Sequence, residues 1–226
     1  MKKNKIITLL AAVTISIVLL SACSKGNSSA NDNAYKSINS IIKENRDKVG
    51  FHAEMSHWGL SLQGEEKFEW TKDPSSNEAD FAMVILADPF IKAGLDTNKL
   101  DSKEIIFKKA SKEGNMENSN LLIRPLNISD KRQNSDGAED AIRRLFKMDK
   151  TNIKGEDNYY KLDLGSSFEV KWKYQEEDKS AEVIFYIDPE PLFKAGLDRN
   201  NMDETGWSIE KSAGMEKLSK KYIIKK

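Results

Sequence analysis

Cysteine occurs once in the 226 residues, at position 23. No disulfide can form within such a chain, and no metal site built from several thiolates. Histidine is nearly as scarce: only His52 and His57 are present. Any imidazole chemistry therefore falls to the one stretch that holds both. Neither sign of charge is in surplus, since 36 Lys and Arg stand against 36 Asp and Glu. Without a basic excess, nothing draws the chain onto nucleic acid. The sequence also lacks H-E-x-x-H, G-x-S-x-G, a P-loop and G-x-G-x-x-G. Carboxylate pairs for acid–base work stay open, because 36 acidic residues allow many.

Long apolar runs are absent except for residues 6–20. That run is shorter than the roughly 20 residues a spanning helix needs. Lys2, Lys3 and Lys5 precede it, and Leu20-Ser21-Ala22-Cys23 follows. A basic start, an apolar middle and small residues at the end are the parts of a secretory signal peptide. The closing tetrapeptide resembles the lipobox of bacterial lipoproteins, and this resemblance covers residues 1–23 only. It implies a diacylglyceryl thioether on Cys23, removal of residues 1–22, and a protein held on the extracytoplasmic face of the cell membrane. Its first partner is then the lipid bilayer, and stable attachment takes two or more acyl chains. Losing three lysines leaves 33 basic residues against 36 acidic, a charge near −3. With Cys23 acylated, no thiol remains for catalysis. Residues 24–33, SKGNSSANDN, contain no hydrophobic anchor, so residues 23–33 read as a lipidated flexible tether.

An internal repeat follows. Lys92-Ala93-Gly94-Leu95-Asp96 recurs as Lys194-Ala195-Gly196-Leu197-Asp198, 102 residues later. The same offset aligns Trp58, Leu60 and Leu62 with Tyr160, Leu162 and Leu164, and Trp70 with Trp172. It also aligns Asn98 and Asp101 with Asn200 and Asp203, and Leu121 and Leu122 with Ile223 and Ile224. Asp88-Pro89 matches Asp188-Pro189 at an offset of 100, which implies two cancelling loop changes. The expected organisation is one repeat unit over residues 34–125, a linker over 126–135 and a second unit over 136–226.

Each unit opens with a helical stripe: Tyr35, Ile38, Ile41 and Ile42 in the first, Ala138, Ile142, Leu145 and Phe146 in the second. An alternating strand, a short turn and a second strand follow. Residues 81–87 and 183–187 are continuously apolar, as in a strand covered on both faces. Asp88-Pro89 predicts a helix start and Gly94 its left-handed end. Two more strands close the unit. The fold expected is α+β, two tandem copies of an α-β-β-β-α-β-β unit with mostly antiparallel sheets.

Four sets of residues are candidates for chemistry. Asp96, Asn98 and Asp101, repeated as Asp198, Asn200 and Asp203, resemble the opening of an oxygen-ligand calcium loop. They depart from an EF-hand where it is most demanding: position six is Asp101, and position twelve is Phe107 or Ile209. The competing reading is a turn in which Asp and Asn bond their own backbone. His52, Met55 and His57 supply imidazole and thioether, which suit copper or haem iron. On one continuous strand the two histidines, five apart, would point to opposite faces. The second repeat has Tyr159 where the first has His57. Lys92 and Lys194 are ligand candidates that also complement a helix C-terminus. Trp58, Trp70, Trp172 and Trp207 could stack on a flat ligand, but three of them align with aromatic or apolar positions, as core residues would.

The expected function is that of a membrane-anchored extracytoplasmic lipoprotein, a non-enzymatic module binding a cell-envelope protein or a wall component, with no cofactor. The alternative is a calcium, copper or haem handling protein, or an enzyme with its site between the repeats.

Overall fold

In the computed structural model the described residues are 26–53, 56–72, 80–111, 117–124, 137–146, 152–156, 158–164, 168–212 and 214–225. Cys23, Met55 and the expected linker at 126–135 lie outside them. The first half of the chain runs α1 (Gly26–Glu44), β1 (Val49–His52), β2 (His57–Gln63), β3 (Glu66–Thr71), β4 (Phe81–Leu86), α2 (Asp88–Lys92), β5 (Ile105–Lys108) and β6 (Asn120–Ile123). The second runs α3 (Ala138–Phe146), β7 (Asn152–Glu156), β8 (Tyr159–Asp163), β9 (Phe168–Gln175), β10 (Ser180–Ile187), α4 (Glu190–Lys194), β11 (Ser208–Ser212) and β12 (Met215–Ile224). Two antiparallel six-stranded sheets with a few helices make the architecture α+β. One sheet is ordered β1-β2-β3-β4-β6-β5, the other β7-β8-β9-β10-β12-β11.

The structure departs from the sequence expectation in four places. Each half carries one more strand than expected, β1 and β7. The first is only four residues, with Gly50 inside it, and its pairing with β2 defines it rather than its own pattern. The helix of the first half starts at Gly26, so most of the segment read as a flexible tether is helical. The offset of 100 at Asp88-Pro89 is also corrected. Trp70 pairs with Phe81 and Trp172 with Val183, while α2 and α4 begin at Asp88 and Glu190. Counted from these pairings, Pro89 and Pro191 each hold the second position of their helices, 102 residues apart. Finally, Leu121 opposes Ile85 and Leu218 opposes Ile187, whereas Ile223 opposes Glu182. The β11–β12 hairpin turns tightly between Ser212 and Met215, whereas β5 and β6 are separated by residues 109–119.

A single hydrophobic cluster draws on both sheets and on α1 and α3. The stripe Ala34, Ile38, Ile41 and Ile42 buries one face of α1, and Ala141, Ile142 and Leu145 do the same for α3. The helices are exchanged: α1 packs on α3, β7 and β9, while α3 packs on β3. The Trp70 indole N–H on β3 donates to the Ala138 carbonyl at the start of α3, 3.0 Å away. Phe68 of the first sheet lies 5.6 Å from Phe185 of the second, ring centre to ring centre. The gap lined by Ile38, Leu60, Phe68, Leu162, Val170 and Trp172 is only about 10 Å³, barely one water.

The repeated pentapeptides close the contact between the halves. In each, the glycine ends the helix as foreseen, in the two-bond capping motif. Gly94 N–H donates to Ile91 O and Leu95 N–H to Phe90 O, with Gly196 and Leu197 repeating this on Phe193 and Leu192. The two turns then bond one another reciprocally. Asp96 N–H donates to Ala195 O and Asp198 N–H to Ala93 O, both at 2.9 Å. The backbones approach so closely that a Cβ on Gly94 would lie 2.9 Å from the Gly196 carbonyl oxygen.

A candidate histidine–carboxylate site

The β1–β2 hairpin places His52 directly opposite His57. The expectation that residues five apart face opposite ways fails here, because the chain reverses between them and cross-strand partners share a face. Gly50 and Gly59 form the next pair on that same face, two residues along the hairpin. Gly59 in turn opposes Glu69 on β3. A Cβ on Gly59 would sit 3.4 Å from Glu69 Cγ, so the bare position leaves space for the glutamate to lean over it. All three side chains lie on the face of the sheet opposite Trp58, Leu60, Phe68 and Trp70.

Glu69 divides its carboxylate between the histidines. Oε1 lies 3.3 Å from His52 Nδ1, and Oε2 lies 3.5 Å from His57 Nδ1. The glutamate and His57 side chains are fully buried, while His52 is 37 % exposed. Neither ring nitrogen of His57 has a hydrogen-bond partner, and the 3.5 Å contact is too long to be a good one. Burial alone would raise the Glu69 carboxyl. The His52 contact and the electrostatic influence of both imidazoles overcome it and bring the group down to about 2. Thr71, opposite His57, and the buried Asp80 continue the same row across the sheet.

Corresponding positions of the second sheet, by the same pairings, are Glu156, Tyr159 and Lys171. Tyr159 turns its hydroxyl to Glu182. The histidine–carboxylate set is therefore peculiar to the first sheet. Glu69 carried no signal in the sequence; only the β2–β3 register singles it out among the acidic residues.

The other candidates are placed as follows. Asp96 accepts from Asn98 N–H at 3.1 Å, and Asp198 from Asn200 N–H at 2.9 Å. These are the local turns that the competing reading described, and the Asn98 bond, with Lys99 beside it, lowers the Asp96 carboxyl. Asp101 and Asp203 are exposed and make no bond to either turn among those described. Lys92 and Lys194 are exposed in the last turns of α2 and α4, and Lys194 pairs with Glu190 at 3.1 Å. Trp70, Trp172 and Trp207 are core, and Trp58 packs against Phe51.

Across the contact between the sheets, Glu66 Oε2 accepts from Lys220 Nζ at 2.7 Å and from the Tyr222 hydroxyl at 2.8 Å. Burial and the Glu66 charge push the Tyr222 phenol well above the ordinary tyrosine range. Beside this bond is a groove of about 650 Å³ lined by Gln63, Tyr186, Ser208, Ser219, Lys220 and Lys221. Its two lysines are committed to Glu66 and Glu182, so it offers no spare charge to an anion.

Among the described residues, no group of three or more His, Cys, Asp or Glu side chains is placed to hold a metal ion. No described helix is long and apolar enough to cross a membrane. No protein-family model, curated protein or solved structure matches the chain.

Proposed function

We propose that this protein is a lipid-anchored extracytoplasmic lipoprotein whose folded part is a non-enzymatic binding module for a component of the cell envelope. The observation that carries the reading is Leu20-Ser21-Ala22-Cys23 behind a basic and then apolar leader. Acylation removes the chain's one thiol from chemistry, and the sequence has no familiar catalytic motif to replace it. We further read the mature part as two tandem copies of one unit, corrected to α-β-β-β-β-α-β-β. The support is the common offset of 102 through β2–β4 and β8–β10, the matching strand orders and the reciprocal pentapeptide contact. The test is fractionation of cells making the wild-type chain and Cys23→Ser. Wild type is expected in the membrane fraction, with mass spectrometry showing an acylated cysteine at its N-terminus. The serine variant is expected to keep its leader or to appear in the soluble fraction. An unmodified Cys23 in wild type overturns the reading.

A further inference from the structure

The histidine–carboxylate cluster asks for an explanation that a structural role does not supply. A buried imidazole with no hydrogen bond is costly, and each such group in a folded protein calls for a reason. Nothing in hairpin packing requires it, since the second sheet builds the same hairpin with tyrosine in place of His57.

We propose that His52, His57 and Glu69 bind a divalent transition-metal ion, Zn2+ or Cu2+. Imidazole nitrogens with one carboxylate suit these ions, whereas Ca2+ and Mg2+ take oxygen donors. Neighbouring ligand atoms around a four-coordinate Zn2+ lie about 3.3 Å apart, given bonds of about 2.0–2.1 Å. The contacts from Glu69 to the two imidazoles, 3.3 and 3.5 Å, match that spacing. The donors do not yet share one point, because the glutamate gives one oxygen to each ring. Binding therefore requires the glutamate to turn about its terminal bond, which is broad in energy, so that one oxygen serves both rings. Gly59 leaves the room for that turn. The half-exposed His52 gives the ion its way in, and both nitrogens of the buried His57 are free to receive it.

This inference does not depend on lipid anchoring, and its test is separate. The full chain, in detergent and stripped with chelator, is dialysed against Zn2+ and, in parallel, Cu2+ and Ca2+, and bound metal is measured. Wild type is expected to take up one Zn2+ or Cu2+ per chain and to leave Ca2+ unbound. His52→Ala and Glu69→Gln are expected to weaken uptake at least about tenfold. His52→Ala changes a partly exposed side chain, and circular dichroism in chelator confirms that each variant is folded. The nitrogen-15 shift of the His52 and His57 Nδ1 atoms on adding Zn2+ gives a second readout. Wild type without bound metal, variants that bind as well as wild type, or Nδ1 shifts that do not move would each overturn the proposal.

Discussion

Alanine at position 94 tests whether the two halves are joined through their glycines. Two costs are expected. Gly94 has φ +105°, a region that L-residues avoid at about 1–2 kcal/mol. The added methyl would also meet the Gly196 carbonyl oxygen at 2.9 Å and Asp198 N at 3.5 Å. Both are backbone atoms, so no side chain can swing away, and crowding a packed site costs about 1–3 kcal/mol. Moving the turns apart would stretch the Asp96–Ala195 and Asp198–Ala93 bonds. The expected loss is about 2–5 kcal/mol by urea denaturation followed by tryptophan fluorescence. Gly214→Ala is the control: its φ is +80° but nothing lies within 4 Å of the added atom, so it bears the backbone cost alone. If Gly94→Ala destabilises no more than Gly214→Ala, the close contact is not what the glycine is for, and the argument fails.

Glu66→Ala leaves the Lys220 ammonium largely buried without its partner and is expected to cost about 3–5 kcal/mol, read as a lower urea midpoint. Phe185→Ala removes ring contacts to Phe68, Phe168 and Tyr222 and is expected to cost about 3–5 kcal/mol. Signals from both sheets should shift together; separate transitions would count against one core. At alkaline pH the raised Tyr222 phenol keeps its proton while the unfolded chain loses it. The stability it contributes is therefore complete below pH about 10 and is lost as pH rises beyond that value. Ultraviolet titration should find fewer than all six tyrosines ionising before the protein unfolds, and a full set titrating in the folded state would refute this.

What the sequence made legible was local or repeated. The helical stripes of α1 and α3 appear as period 3.6, and β2, β4, β8 and β10 as alternation or continuous burial. The helix-ending glycines were readable from their place after Lys92-Ala93 and Lys194-Ala195. β1 was not readable, because a four-residue strand with an internal glycine has no period of its own. The drift of β12 against β6 was hidden because Ile223 and Ile224 happen to match Leu121 and Leu122 in character. At the candidate site both histidines stood out by scarcity. Their shared face and Glu69 depend on two strand registers that no spacing rule conveys. The second role of Gly94 and Gly196 as a mutual contact belongs to tertiary structure alone.

The exchange of α1 and α3 between the sheets constrains when the protein can become itself. A chain delivered from its N-terminus presents α1 long before β9, the strand it covers, has arrived. The first sheet likewise waits on α3 for its own cover. Early intermediates must therefore hold bare apolar faces until some 175 residues are out. Such a chain gains little from folding as it emerges and much from being kept from its neighbours until the second sheet exists.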